Sequence, residues 1–261
     1  MTKIIAFANQ KGGVAKTTST INTAHALVLK GQRVLLVDAD PQASLSLVAG
    51  IEPQTLVQLD QAGKTLYQGL TQKADATEII YKAEGFDIIP GSIRLARIEL
   101  EIASYHGTSG VLKALLTPVL ENYDVVLIDC PPTLSLLTVN ALTLADHVVM
   151  PCKTDYLSVM GIPLLMDTIS ETRARSNPKL KVLCILPTLF NARAAHDATL
   201  LENLQGLASR LGVPLYEPIN RATAYDRANA DGQSVVRDYP ATPGADQYTR
   251  LADAIIGLGA N

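Results

Sequence analysis

Lys11, Gly12, Gly13, Lys16, Thr17 and Thr18 lie within one short run, FANQKGGVAKTTST, at residues 7–20. Paired glycines let successive backbone N–H groups converge on one concavity. A helix that starts there adds its partial positive charge. This is chemistry for a polyanion. Lys16 reaches the β- and γ-phosphates of a nucleoside triphosphate, the Thr17 hydroxyl binds Mg²⁺, and Thr18 touches the α-phosphate. An ordinary glycine turn supplies the glycines but not the order strand, paired glycine, Lys-Thr-Thr, helix. Two departures from the usual G-x-x-x-x-G-K pattern stand out. Gln10 and Ala15 occupy its glycine positions, and an extra lysine, Lys11, precedes the glycine pair.

Carboxylates occur where such a site needs them. VDADPQ places Asp38 and Asp40 just after an apolar run, and VVLIDCPP ends another run on Asp129. Ligand chemistry in an open α/β sheet sits at the carboxyl ends of the strands. An aspartate ending a buried strand in this way is the usual Mg²⁺-water ligand of phosphate-loop ATPases. Asp38, nearer its strand, holds either the loop or the metal through water. A lone aspartate after a strand also serves as a turn or capping residue. The phosphate loop and the Pro-Gln that follows favour the site.

The elements that must position these groups read as short apolar runs alternating with amphipathic segments. The runs are KIIAFA (3–8), RVLLVD (33–38), FDIIPG (86–91), YDVVLIDCPP (123–132), DHVVMPC (146–152), KVLCILPTLF (181–190) and a late PLYEPI (214–219). Continuous Val/Ile/Leu runs are those of strands covered on both faces. Residues 17–30, 155–175, 194–211 and 244–257 have helical spacing. The pattern predicts one α/β domain over 1–261, a mostly parallel twisted sheet with helices on both faces. Residues 50–85 have weaker periodicity and read as an excursion of loops and short helices. The sequence opens directly on the first strand, and no separate helix-turn-helix domain is expected before it.

Composition bounds the setting. The apolar fraction is 48% of 261 residues, ample for a core, and charged residues make up 18%. No apolar run has the length of a membrane span, and the opening stretch lacks a signal-peptide cleavage pattern. Cys130, Cys152 and Cys184 match no disulfide or zinc spacing, which suggests a reducing, cytoplasmic location. A net charge of −3 excludes a uniformly basic surface but leaves room for a basic patch.

KGGVAKTT resembles the deviant phosphate loop of the ParA/MinD ATPase family, with Ala15 where the family has glycine. VLLVDADPQASLS and YDVVLIDCPPTLSLLTVNAL resemble its next two motifs, and PATPGADQYTRLADAI the C-terminal helix of short, Soj-type ParA proteins. The resemblance implies a P-loop NTPase-like fold and an ATPase using ATP and Mg²⁺. It implies nucleotide contacts from Lys11, Gly12, Gly13, Val14, Ala15, Lys16, Thr17 and Thr18, and metal contacts from Thr17, Asp40 and Asp129. Asp40, Lys16 and Lys11 are the implied catalytic groups: Asp40 orients the attacking water, and Lys11 crosses to the second subunit of an ATP-sandwich homodimer. If position 15 needs positive φ, alanine costs on the order of 1 kcal/mol there.

Arginines carry the positive charge of the last third, since residues 182–261 contain no lysine. By the same resemblance Arg193 and Arg221 fall at family positions that bind DNA without sequence preference, and Arg227 widens the patch. Ion pairing with Asp197, Asp226 and Asp231 is the competing expectation. Asn220 and Ala222 stand where relatives have the proline and asparagine that line the adenine pocket, and Arg227-Ala228-Asn229 replaces Glu-Ala-Pro. Adenine recognition then rests on backbone, Asn191 and Asn220. The resemblance implies a ParB-type centromere-binding partner, a nucleoid-associated protein and no membrane partner. The alternatives are another cargo (a chemoreceptor array or a carboxysome), a MinD-like membrane-associated regulator, and a redox ATPase with a cluster at a dimer interface. The tail RLADAIIGLGAN lacks the basic residues a membrane-binding helix carries.

Overall fold

Ile, Val and Leu dominate the strands because both strand faces are buried. In the computed structural model, which describes residues 1–102 and 107–259, the strands are β1 (Lys3–Phe7), β2 (Val34–Asp38), β3 (Tyr81–Lys82), β4 (Asp87–Ile89), β5 (Val125–Asp129), β6 (His147–Lys153) and β7 (Lys181–Thr188). They form one sheet in the order β3-β4-β2-β5-β1-β6-β7. All neighbours are parallel except β3 and β4. Alternate residues of each strand feed opposite cores. Ile5, Phe7, Leu36 and Leu127 pack with Ile21 and Leu27 of the helix Lys16–Leu29 and with Tyr248, Leu251 and Ile255 of the helix Ala245–Gly257. Ile4, Ala6, Val37 and Ile128 pack on the other side with residues of the helices Leu136–Leu144, Tyr156–Arg175 and Ala195–Leu211.

Register decides where chemistry gathers. Phe7 and Asp38 both lie level with Asp129, so β1, β2 and β5 end together. The excursion at 50–85 contains the short helices Pro53–Gln61, Leu66–Leu70 and Ala76–Ile79, then β3, which returns antiparallel to β4. The late run 214–219 does not become a regular strand. It follows β7 through two isolated bridges, Ile185 with Leu215 and Phe190 with Asn220. Pro214 and Pro218 lack the N–H that a continuous ladder requires.

Candidate nucleotide-binding site

The loop between β1 and the helix Lys16–Leu29 is fixed from several sides. Asn9 donates through Nδ2 to the carbonyl of Pro151 at 2.7 Å and accepts from the Lys11 N–H at 2.9 Å. Thr188 donates to the carbonyl of Val14 at 3.0 Å. The ends of β6 and β7 thus hold the loop that β1 delivers. Gly13 and Ala15 both adopt left-handed backbone, at φ 72° and 61°. Position 15 therefore has the conformation for which glycine is best suited, and alanine occupies it at a cost.

Lys16 is buried, and its ammonium donates to the carbonyl of Lys11 at 3.2 Å. Burial lowers its pKa, opposed by the charges of Asp129, Cys130 and Asp40. Thr17 donates to Asp129 at 2.6 Å, and Thr20 reaches the other carboxylate oxygen at 3.5 Å. Asp129 is buried, and burial raises its pKa, with the nearby charge of Asp38 adding to the effect. Asp38 is also raised, by burial first, although it accepts from the N–H and hydroxyl of Ser46 at 2.8 and 2.7 Å. Of its two expected roles, the structure assigns the loop. A side chain at Gly91 would meet the Asp38 carboxyl at 2.9 Å, so glycine there keeps the arrangement closed. Asp40 accepts from the Gln42 N–H at 2.9 Å, and its charge acts on both Lys16 and Asp129.

This donor set fits a nucleoside triphosphate with a divalent cation. Among the described residues the buried Lys16 ammonium, held by a carbonyl, has no ion pair, and neither has the buried Asp129 carboxylate. Phosphates pair with the first and a metal with the second. Thr17 and Asp129 already touch, so the hydroxyl and the carboxylate that would hold a metal and its bound water stand together.

The other expected residues divide. Lys11 is partly exposed, and its ammonium has no partner among the described residues. Asn191 is exposed, with its side-chain oxygen accepting from the Arg193 N–H at 3.1 Å. The Arg221 N–H donates to Phe190 at 2.8 Å, which brings the loops bearing Asn191, Arg193, Asn220 and Arg221 side by side. Arg193 and Arg221 are exposed and without an ion pair among the described residues. Asp197 instead accepts from Thr154 and the Asn191 N–H. Arg227 is different: it pairs with Asp231 at 3.8 Å and lies over the Tyr239 ring. Asn9, Thr188, Ser46 and Gly91 also support the site. Of these, only Gly91, after Pro90 at a strand end, carries a local signal in the sequence.

Compared with known proteins, an AAA domain family matches residues 2–182. Sporulation initiation inhibitor protein Soj of Bacillus subtilis is 35% identical over 262 residues, covering 99% of this chain and 100% of that one. Chromosome partitioning protein ParA of Caulobacter vibrioides is 34% identical over 259 residues, covering 97% and 94%. The solved structure of cobyrinic acid a,c-diamide synthase from Mycobacterium smegmatis, with a bound ATP analog and magnesium, aligns at a TM-score of 0.86 and 32% identity, covering 100% of this chain and 97% of that one.

Proposed function

The chain belongs to the ParA/Soj family of partitioning ATPases, within the ParA/MinD group that carries the deviant phosphate loop, and from that premise we propose a DNA-partitioning ATPase. Its ATP-bound homodimer binds DNA without sequence preference. A ParB-type centromere-binding partner stimulates hydrolysis, and the cycle segregates a chromosome or plasmid. The observation that carries the chemistry is the buried Lys16 ammonium beside the Thr17–Asp129 pair at the level ends of β1, β2 and β5. The relative solved with an ATP analog and magnesium supports ATP and Mg²⁺ as the ligands here. That relative's name denotes a different activity, and a shared fold does not carry activity across.

When bound, Mg²⁺ neutralises charge on the β- and γ-phosphates. The protein's residues do the rest. Lys16 holds the phosphates, Thr17 and Asp129 take the metal side, and Asp40 orients water from the β2 end. The ammonium of Lys11, free among the described residues, extends to the second subunit's site. An apolar stripe of exposed side chains supports that dimer: Tyr156, Leu157, Met160 and Leu164 lie along the helix Tyr156–Arg175. This helix adjoins the loop, since Gln10 donates to the carbonyl of Gly161 at 3.0 Å.

For DNA, Arg193 and Arg221 on adjacent loops are the main contacts, duplicated by dimerisation. Arg227 contributes when DNA displaces Asp231. The same chemistry on another cargo keeps every residue role and changes only the partner. A MinD-like membrane role is disfavoured, because the C-terminal helix spends its apolar face on the core through Tyr248, Leu251, Ala252 and Ile255. No helix among the described residues is long and apolar enough to cross a membrane. Gel shift with ATP, with ADP and without nucleotide tests the reading. A shift confined to ATP is expected; no shift at low salt under any condition removes DNA from it.

A further inference from the structure

Asn229 sits on the helix Thr223–Ala230, far from the phosphate loop in sequence, yet its Nδ2 donates to the Thr18 hydroxyl at 3.0 Å. Its Oδ1 is shielded from solvent and accepts no hydrogen bond among the described residues. A buried carbonyl oxygen left unpaired is destabilising, so such a group calls for a missing donor. The segment that follows this helix, Val235–Asp238, is tied to the adjacent turn of the first helix. Asn22, one turn beyond Thr18, donates to the Thr18 carbonyl at 2.8 Å and accepts from the N–H of Val235 at 2.9 Å. The contact between Asn229 and Thr18 therefore lies beside a second link between the first helix and the C-terminal segment.

The direction of each hydrogen bond follows from the ligand. A phosphate oxygen only accepts, so a Thr18 hydroxyl that serves the α-phosphate must donate to it. The hydroxyl is then an acceptor toward Asn229, which fixes Nδ2 on Thr18 and turns Oδ1 away. Lys16, Thr17 and Thr18 read along the triphosphate from its terminal end toward the α-phosphate. What lies beyond the α-phosphate is the nucleoside. Its donors are the ribose hydroxyls and the exocyclic amine of the base.

We propose that Asn229 is a nucleoside-recognition residue, with Nδ2 setting the Thr18 hydroxyl toward the α-phosphate and Oδ1 accepting from an O–H or N–H donor of the nucleoside. The inference rests on the reading of this site as a nucleotide site. It gives the position a role that a Glu-Ala-Pro sequence there does not offer, because proline has no polar side chain.

Calorimetric titration of the full chain with four magnesium nucleotides tests it: ATP, 2′-deoxy-ATP, 3′-deoxy-ATP and purine riboside triphosphate, which lacks the amino group. The analogue missing the recognised donor binds wild type roughly three- to tenfold more weakly than ATP, the range of one net hydrogen bond. Asn229→Leu abolishes the discrimination and lowers ATP at least to that analogue's level, because the Nδ2 bond to Thr18 is lost as well. Asn229→Asp keeps an acceptor, so it retains the discrimination while its charge weakens all four. Thr18→Val also weakens all four and preserves their ratios. Wild type that treats the four alike overturns the proposal. So does Asn229→Leu that discriminates as wild type does. Should the leucine variant fail to fold, loss of discrimination in Asn229→Asp overturns it instead. A wild-type chain that binds none of the four sinks the nucleotide reading itself, a result distinct from equal binding.

Discussion

Ala15 shows how much one side chain adjusts without changing a site's purpose. Its backbone is left-handed at φ 61°, where a Cβ costs about 1–2 kcal/mol. Ala15→Gly is expected to raise stability by up to about 1 kcal/mol, less what glycine gains in the unfolded chain, as a higher denaturant midpoint at unchanged slope. Destabilisation instead would mean that the loop relies on the methyl group for packing. Lys16→Ala removes the one buried lysine or arginine among the described residues, at the loop that would hold the phosphates. ATP affinity should fall by at least about a hundredfold in calorimetry, and unchanged affinity would end the phosphate-loop assignment. Asp40→Ala should leave ATP binding within a few-fold but suppress phosphate release, since Asp40 lies near Lys16 without bonding it. A variant that hydrolyses at the wild-type rate would transfer the water-positioning role elsewhere.

The helix that carries the loop is also a structural hub, and His25 on it reports on the contact with the C-terminal segment. The imidazole is buried, edge-on to Phe86 at 5.2 Å. Burial, reinforced by the charge of Arg237, lowers its pKa from 6.5 to about 4, against smaller opposing effects of Asp238 and Glu84. The folded state therefore prefers neutral imidazole, and unfolding takes up a proton between pH 6.5 and about 4. The contribution is intact above pH 6.5 and is lost as pH falls through that window, reaching about 3 kcal/mol at its lower end. Comparing wild type with His25→Leu by denaturant unfolding isolates it from the carboxylates. The difference in stability should be constant above pH 6.5 and change steadily below it. A flat difference down to pH 4 would show that His25 is not held neutral.

At the scale of the whole molecule, the proposed function depends on surfaces that meet only when two chains do. Lys11→Ala should bind ATP yet show no doubling of mass by light scattering, because its ammonium has no anion in its own chain among the described residues. Normal ATP-dependent dimerisation by this variant would remove the sandwich arrangement. Arg193→Glu should leave dimerisation intact and weaken DNA binding at least tenfold, with the wild-type affinity falling steeply as salt rises, as phosphate contacts do. Affinity insensitive to both the substitution and salt would move the DNA surface away from these loops. Arg227→Ala should have the smaller effect, because its guanidinium is already paired with Asp231.

The phosphate loop was legible in sequence because its cause is local. Glycine pairing, a lysine and two threonines at a helix start dictate backbone shape and charge over a few residues. The fold class was legible for a related reason: strands buried on both faces must be apolar throughout, and such runs end abruptly at Asp38 and Asp129, where chemistry begins. Asp38's partner was not legible. Whether it held the loop or a metal depended on Ser46 folding back onto it. Nor was the free state of Arg193 and Arg221 against the pairing of Arg227, since Asp197 has the same apparent charge until Thr154 and the Asn191 N–H occupy it. The contact of Asn229 with Thr18 spans 211 residues. Nothing in either segment requires it. It exists because β1 lies between β5 and β6, with β7 outside β6, so that chain from the far end of the sequence returns over the first helix. Local chemistry follows from neighbours in the chain, whereas long-range hydrogen bonds follow from the order in which packing arranges the strands.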